Sequence, residues 1–233
     1  MMKSLSRSIA VSVVMAAASI LIVASPAGAF NLRAPQVPFN FVPLQNYLNL
    51  VDPGINVATQ QIDAQVWSVS VTGNTDFTLM LKTGLGMGDA FGLYNGNAPV
   101  GPFPPLFQIF PGGAVPGWYA TLHFGGGNLI VALFDQNSIF MGQAFYPGVN
   151  PNNFGFYIQG PGGLWFSQDV RNGGAPQMLA YNSPWLAGDF WLCWEELPYN
   201  PGSTFDGVVI NVQSIRPTPA GNTTWGRVKG QYR

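Results

Sequence analysis

The sequence predicts an all-β fold, an antiparallel β-sandwich or jelly roll of about ten short strands with one short helix near the N-terminus. Glycine occurs 29 times and proline 20 times, and at that density these residues separate short strands and disfavour long helices. Between the turns, apolar residues recur at every second position. Because 47% of the chain is hydrophobic and 8% is charged, we expect a folded core rather than disorder.

The first 29 residues predict a secretory signal peptide. Lys3 and Arg7 precede an uncharged apolar stretch over residues 9–23, and Ala27-Gly28-Ala29 follows as a small-residue cleavage site. The apolar stretch is shorter than the roughly 20 residues of a membrane-spanning helix, which disfavours the competing interpretation of a retained membrane anchor. Cleavage after Ala29 removes 29 of the 233 residues, leaves 204, and predicts a secreted, extracellular or cell-surface protein.

Charge and cysteine content exclude several kinds of partner and chemistry. The segment after Ala29 has seven Lys and Arg against ten Asp and Glu, a net charge of −3. Such a chain has no electrostatic attraction to nucleic acid or to an anionic membrane. No second apolar span follows, so we expect no stable membrane span after signal removal. The single cysteine, Cys193, lies in an apolar strand, which predicts a buried and unreactive thiol.

Residues 30–56 predict an extended arm and a short helix. The arm contains prolines and shows little periodicity. After Pro43 the apolar residues recur at helical spacing, and Pro53-Gly54 ends the predicted helix. The helical positions are Leu44, Tyr47, Leu48 and Val51.

The predicted strands follow from residue 66 onward. "QVWSVSVTG" and "DFTLMLKTG" both alternate, and Gly73-Asn74 between them predicts a hairpin. The glycine turns at residues 125–127 and 160–163 predict two further hairpins. The remaining strands are "DAFGLYNG", "PLFQIFPGG", "QMLAY", "DFWLCWEEL" and "DGVVINVQSI". Strands do not alternate with helices, so residues 30–216 are predicted to form one sandwich domain.

The composition changes at Arg216, and residues 217–233 are predicted to form a basic C-terminal tail. Pro217 and Pro219 disfavour continuation of the last strand. The tail has no acidic residue. We hypothesise that export or attachment machinery recognises it, through an apolar anchor and three positive charges. These recognition residues are Trp225, Arg227, Lys229 and Arg233.

The sequence contains no recognisable catalytic motif, and we predict a non-enzyme with no catalytic and no cofactor-binding residues. His123 is the only histidine, and Asp135 lies across a glycine turn from it. No serine lies in a G-x-S-x-G elbow, and a zinc site needs more ligands than one His and one Cys. Pairs of carboxylates, the requirement of a glycosidase, arise readily among ten scattered acids. A pocket that held His123 and Asp135 together would favour an enzyme.

Aromatic residues raise carbohydrate binding as an alternative function. Seven tryptophans are present, and Trp165, Trp185 and Trp191 lie in or near glycine-rich turns. Exposed rings of this kind can stack on sugars. The competing interpretation is that most aromatic side chains fill a core that has no disulfide to stabilise it. An exposed aromatic platform on one sheet would favour glycan binding.

The segment "WLCWEELPYNPGSTFDG" raises the question of a metal site. Glu195 and Glu196 are adjacent, and in a continued strand they would point to opposite faces and could not chelate as a pair. A calcium site needs several oxygen ligands from a compact loop, and this loop offers one carboxylate, Asp206. Glu196 and Asp206 are therefore weak metal candidates. We predict a structural hairpin with no metal cofactor, and calcium is disfavoured.

Several segments together resemble a secreted bacterial domain, the domain of unknown function numbered 4114, which is frequent in proteins with Pro-Glu-Pro C-terminal sorting signals. The segments run from about residue 44 to residue 215: "INVATQQIDAQVW", "NTDFTLML", "DAFGLYN", "NNFGFYIQGPGGLWFSQD", "QMLAY", "WLCWEELP" and "FDGVVINVQSI". The resemblance implies an exported domain. The apolar helix of the Pro-Glu-Pro signal is missing here, and "TTWGRVKGQYR" is similar to short tails on other secreted bacterial proteins with this domain.

The resemblance also implies a calcium-suited loop, and this sequence departs from it. In the family, E-D-L-P is typically followed by a D-x-D-[FY]-N-D type loop. Here "GSTFDG" keeps the aromatic residue as Phe205 and has Asp206 at the asparagine position. The positions of the family's aspartates are occupied by Gly202, Thr204 and Gly207. The departure weakens the implied calcium site.

These observations predict an exported, non-catalytic β-sandwich with a cell-surface, matrix or adhesion-type role. The expected partner is an extracellular glycan or a surface protein. A carbohydrate-binding module is the alternative, and a secreted hydrolase is the third interpretation.

Overall fold

The computed structural model describes residues 32–33, 41–70, 73–101 and 103–218. They form one α-helix, α1 (Val42–Val51), two short 3-10 helices (Gly84–Gly88 and Asp169–Asn172) and thirteen strands. The strands are β1 (Val66–Val69), β2 (Asn74–Lys82), β3 (Ala90–Asn95), β4 (Phe107–Phe110), β5 (Tyr119–Gly125), β6 (Asn128–Phe134), β7 (Phe140–Pro147), β8 (Phe154–Gly160), β9 (Gly163–Phe166), β10 (Met178–Asn182), β11 (Asp189–Trp194), β12 (Val208–Gln213) and β13 (Ile215–Thr218). The predicted signal peptide, its cleavage site at Ala29 and the recognition residues of the tail lie outside the described residues.

The strands make two antiparallel sheets, so the predicted all-β sandwich is confirmed. One sheet has six strands in the order β13-β1-β8-β3-β4, with β9 also paired to β8. The other has seven strands in the order β10-β11-β12-β2-β5-β6-β7. The largest buried cluster draws side chains from both sheets, because each strand turns one apolar face inward.

An aromatic cluster lies at the centre of this core. The ring of Phe156 on β8 lies 5.6 Å from that of Phe91, 5.7 Å from that of Trp67 and 5.8 Å from that of Phe77, measured between ring centroids. Phe77 belongs to β2 of the seven-stranded sheet, whereas the other three rings belong to the six-stranded sheet. The cluster therefore joins the two sheets.

The helix α1 covers only part of the outer face of the seven-stranded sheet. Leu44 and Leu48 are fully buried and pack with Tyr181, Cys193 and other outward side chains of β10, β11 and β12. The helix begins at Val42, has Pro43 in its first turn, as is common at helix N-termini, and ends before Pro53. Its Tyr47 hydroxyl donates a hydrogen bond to the backbone carbonyl of Met80 on β2, at 3.0 Å. This second cluster lies over β10–β12 and reaches β2, whereas its members include no residue of β5, β6 or β7.

Two of the predicted hairpins are confirmed and one is wrong. β5 and β6 pair around the glycine turn at residues 125–127, and β8 and β9 pair around residues 160–163. The predicted hairpin at Gly73-Asn74 does not form, because β1 pairs with β8 and β13 whereas β2 pairs with β5 and β12. Trp67 and Phe77 both reach the core, from opposite sheets. Alternation predicts which face of each strand is buried but does not predict which sheet the strand joins.

The sequence did not predict β7 and β13. The run "DGVVINVQSI" is predicted as one strand, but Ser214, with φ of 62°, divides it into β12 and β13. β13 extends to Thr218, so the strand runs two residues past the predicted domain boundary at residue 216. Pro217 is accommodated because β13 is an edge strand, where a residue without an N–H group can lie.

Among the described residues, no helix combines the length and the apolar character needed to cross a membrane.

Candidate functional site

The outer face of β2, β5, β6 and β7, on the side of the sheet away from the core, carries an unusual set of exposed side chains. Alternation places every second residue of these strands outward. The strand register then aligns the outward residues of all four strands into three rows that cross the sheet. The rows are Thr78–Tyr119–Phe134–Phe140, Asp76–Thr121–Ala132–Gln143 and Asn74–His123–Ile130–Phe145. We call this surface the aromatic face.

The first row contains three aromatic rings in contact. Tyr119 and Phe134 are stacked, with ring centroids 4.9 Å apart and an interplanar angle of 9°. Phe140 meets Phe134 edge-on at 5.7 Å and is 56% exposed. In the third row, Phe145 on β7 is 58% exposed. Exposed large apolar rings are costly to leave in water, and a cluster of them marks an interaction surface.

The second row is mostly polar and separates the two ring-bearing rows. Asp76, Thr121 and Gln143 are all exposed, and together they offer a carboxylate, a hydroxyl and an amide. Residues two apart on a strand are about 6.7 Å apart, so the outer rows lie about 13 Å from each other. Beside this row, His123 Nδ1 and Asn74 Oδ1 form a 2.7 Å hydrogen bond that fixes the imidazole.

This arrangement suits a flat ligand that has both hydroxyl groups and apolar C–H faces. The rings offer apolar surface with a negative π face, on which C–H groups can pack. The polar row between them offers hydrogen-bond donors and acceptors at the level of the sheet. Sheet residues have few accessible rotamers, so the surface is largely formed before a ligand binds.

The two residues named as a possible catalytic pair are far apart. His123 lies opposite Ile130, near the start of β6, whereas Asp135 follows Phe134 at its other end. The Asp135 Oδ1 accepts hydrogen bonds from the backbone N–H groups of Asn137 and Ile139, at 2.9 and 2.8 Å. Asp135 therefore organises the turn between β6 and β7, and the pocket that would have favoured an enzyme is not formed by these two residues.

The tryptophans singled out as possible sugar platforms are not on the aromatic face. Trp191 is buried, and its indole N–H donates to Asp52 Oδ2 at 2.7 Å. Trp165 donates to the backbone carbonyl of Glu196 at 2.9 Å. Trp185 is 70% exposed, but it donates to the carbonyl of Pro53 beside α1. Sequence reasoning missed the face because it concentrated on tryptophan; its signal was the phenylalanine-rich segment "FMGQAFYP" of β7.

The acidic segment after β11 has a structural role in this fold. β11 ends at Trp194, so Glu195 and Glu196 do not continue the strand. The Glu195 Oε2 accepts hydrogen bonds from the backbone N–H groups of Thr204 and Phe205, at 2.9 and 3.4 Å. Asp206 accepts a hydrogen bond from the Thr204 hydroxyl. Glu195 thus fixes the loop that contains Thr204 and Phe205. In the described part of the chain, no three His, Cys, Asp or Glu side chains converge in a way that could hold a metal ion.

A second buried carboxyl group lies close to this loop. Asp89 is 2% exposed, and its Oδ1 has no hydrogen-bond partner among the described residues. A Cβ atom at Gly160 would collide with that oxygen, and one at Gly207 would collide with Glu196 Oε2. Burial first, and then the charge of Glu196, raise the pKa of the Asp89 carboxyl to about 6, although the charge of Lys82 acts in the opposite direction. The pKa of Glu196 is also raised, first by burial.

We expect Asp89→Asn to stabilise the fold at neutral pH. The folded-state pKa of Asp89 lies above its ordinary value of 3.8, so ionisation costs stability as pH rises from about 4 to 6, and the loss persists above pH 6. The difference between 3.8 and about 6 corresponds to a loss of at most about 3 kcal/mol in the free energy of unfolding at neutral pH. Chemical denaturation at pH 4 and pH 7.5 should therefore show a gain for the variant only at pH 7.5.

The control for this change is Asp63→Asn, because Asp63 is exposed. Asp189 also has a pKa raised to about 6, first by burial, so Asp89→Asn should remove only part of the pH dependence. Equal unfolding free energies for the Asp89 variant and the unchanged protein at pH 7.5 would contradict the argument.

Cys193 on β11 is predicted from the sequence to have a buried thiol. It is fully buried, and burial raises the pKa of its thiol. The prediction of a buried thiol is confirmed, and Cys193 belongs to the cluster beneath α1.

No family model matches this sequence, and a search of curated proteins also gives no match. The resemblance to domain 4114 stays a prediction that depends on the quoted segments.

Proposed function

We propose that this protein is an exported, non-catalytic binding protein of the cell surface or extracellular matrix, and that it binds a glycan on its aromatic face. The predicted signal peptide supports an exported role. The resemblance to a secreted bacterial domain favours the same setting. Glycan binding would give the surface or adhesion role predicted from the sequence a ligand of the kind that its carbohydrate-binding alternative names.

One observation carries this proposal, the polar row between two ring-bearing rows. A sugar chain that ran parallel to β7 could place C–H faces on Phe140 and Phe145 and turn its hydroxyls toward Gln143 and the rest of the polar row. Binding sites combine apolar contact area with a few polar groups that fix orientation. Asp76 and Gln143 are exposed to water. A purely apolar partner would displace that water and offer these side chains no hydrogen bonds in its place.

Charge favours an uncharged glycan. All ten acidic residues lie between residues 52 and 206, whereas only Arg33, Lys82, Arg171 and Arg216 are basic between residues 32 and 218. Asp76 lies on the aromatic face itself. An anionic polysaccharide would be repelled by this charge distribution, so neutral polysaccharides are the expected ligands.

We expect Phe145→Ala to weaken glycan binding without unfolding the protein. Loss of one stacking ring should reduce affinity about tenfold or more, which corresponds to about 1.4 kcal/mol. The protein without its signal peptide would be applied to a glycan array, and the Kd of the best neutral glycan would then be measured for both proteins by calorimetry.

The matched control is Phe103→Ala, because Phe103 is 77% exposed and packs near Phe166 of the six-stranded sheet. That variant should bind like the unchanged protein. Equal losses in both variants, or an array with no bound glycan at all, would contradict the proposal.

A further inference from the structure

The strand β7 is a free sheet edge with little protection against another strand. It is the last strand of the seven-stranded sheet, and among the described residues no strand pairs with its outer side. Its eight residues, "FMGQAFYP", carry no charge, and the only proline is the last residue. Edge strands of stable monomers usually carry charges, prolines or a covering segment. Within the described ranges, the outer N–H and C=O groups of β7 therefore have no strand partner, and they lie beside apolar side chains.

A cleft opens between the sheets along this same edge. It has a volume of about 180 Å³ and is lined by Ile109, Pro111, Val131, Leu133, Gly142 and Ala144, among others. Gly142 and Ala144 are the small inward residues of β7 that leave this space, and a Cβ atom at Gly142 would meet nothing within 4 Å. A strand added to β7 would point every second side chain into the cleft.

The chain itself contains a segment that fits such an edge. After Thr218 the sequence continues for fifteen residues, and "TTWGRVKGQYR" alternates with period two. In an extended chain one face would be uncharged, and the other would carry all three basic residues of the segment. The uncharged positions are Thr224, Gly226, Val228, Gly230 and Tyr232. The basic positions lie between them, as Arg227, Lys229 and Arg233.

We propose that the C-terminal segment of one copy adds as a strand to β7 of a second copy, with its uncharged face over the cleft. Backbone hydrogen bonds to β7 would supply affinity, and Val228 and Tyr232 would supply the apolar contacts. Charge assists the pairing, because residues 219–233 carry three basic and no acidic residues, whereas residues 32–218 carry ten acidic and four basic ones. The proposal does not depend on glycan binding.

The distance between β13 and β7 indicates that the added strand comes from a second copy and not from the same chain. The segment leaves the fold from β13, at the opposite edge of the six-stranded sheet from β4. Four strand spacings of about 4.8 Å separate β13 from β4, and β7 lies in the other sheet about 10 Å further. If residues 224–232 pair with β7, five residues remain, and they span at most about 18 Å. The C-terminal segment therefore cannot reach the β7 edge of its own copy.

Such pairing is head-to-tail, which builds a ring where the rotation between copies closes and an open series where it does not. Each copy offers one donor segment and one acceptor edge, so copies can add in series. The tail, hypothesised above to be an attachment signal, then attaches one copy to the next. This would build the assemblies expected of a matrix protein.

The test uses the full chain without its signal peptide, with Val228→Asp as the disrupting variant and Gln231→Asp as the matched control. Val228 lies on the uncharged face of the segment and Gln231 on the other. Size-exclusion chromatography with light scattering should show concentration-dependent oligomers for the unchanged and control proteins and monomers for Val228→Asp. A monomeric unchanged chain at all concentrations would overturn the proposal.

A peptide experiment identifies the acceptor. A labelled peptide of residues 221–233 should bind the Val228→Asp protein saturably, and the same change in the peptide should raise Kd at least tenfold. Filling the cleft with Ala144→Leu in that protein should also raise Kd. Binding that tolerates Val228→Asp in the peptide would show that charge alone drives it, and a peptide that fails to bind at all would equally overturn strand addition.

Discussion

Phe156→Ala should lower the free energy of unfolding by about 3–5 kcal/mol, the largest effect expected of a single substitution here. Phe156 is fully buried and lies within 6 Å of the rings of Phe91, Trp67 and Phe77, so its removal opens a cavity between both sheets. Domains of this size are commonly stable by about 5–15 kcal/mol, so the loss would be a large fraction of the total. Urea or guanidinium denaturation measures it directly.

The control for this experiment is Phe145→Ala, the same chemical change on the aromatic face. Because Phe145 is more than half exposed, its loss should change the unfolding free energy by no more than about 0.5 kcal/mol. The two variants should therefore separate stability from binding. Phe156→Ala should lose stability, whereas Phe145→Ala should lose glycan affinity. Similar stability losses in both would mean that the aromatic face is part of the core.

Glu195→Ala should cost about 2–4 kcal/mol, because the substitution leaves two backbone N–H groups without their acceptor. The Glu195 side chain is 5% exposed, and it holds the loop that carries Phe205. Phe205 has φ of 56°, an uncommon backbone conformation for this residue type, and its side chain packs in the cluster beneath α1. Thermal and chemical denaturation would report the loss.

Glu195→Gln tests the same argument, since both N–H groups donate to one oxygen, Oε2, which the amide oxygen of a glutamine can replace. This variant should restore most of the stability that Glu195→Ala loses. Adding calcium should not rescue Glu195→Ala, because the carboxylate serves the backbone rather than a metal ion. A stability loss below about 0.5 kcal/mol, or rescue by millimolar calcium, would contradict this structural role.

Much of the fold was predictable because local patterns determine it. Glycine runs at residues 125–127 and 160–163 mark two hairpins, and the apolar spacing of Leu44 and Leu48 marks α1. The pairing of β1 was not predictable, because the choice of sheet depends on contacts between β1, β8 and β13 that are distant in sequence. Such contacts leave no trace in local periodicity.

The candidate site was harder to predict than the fold. A phenylalanine in a strand has the same appearance in sequence whether it faces the core, as Phe156 does, or the solvent, as Phe145 does. β7 was not predicted because apolar and polar residues do not alternate around Gly142. The pairing of β6 with β7 also has a register shift, between Leu133 and Phe134. The aromatic face appears only when β5, β6 and β7 are aligned by their register. The importance of Glu195 was also hidden, since its partners are backbone groups nine and ten residues away.

The most direct test of the account is to map a bound neutral oligosaccharide on the protein by NMR. Amide shifts on titration should concentrate in β5, β6 and β7, with the largest changes near Tyr119, Thr121 and Phe145. Shifts should be absent around Trp185 and around the Asp89 carboxyl, which lie outside the aromatic face. A bound oligosaccharide whose shifts cluster at either of those places, with none on β5–β7, would contradict the claim that the aromatic face is the binding site.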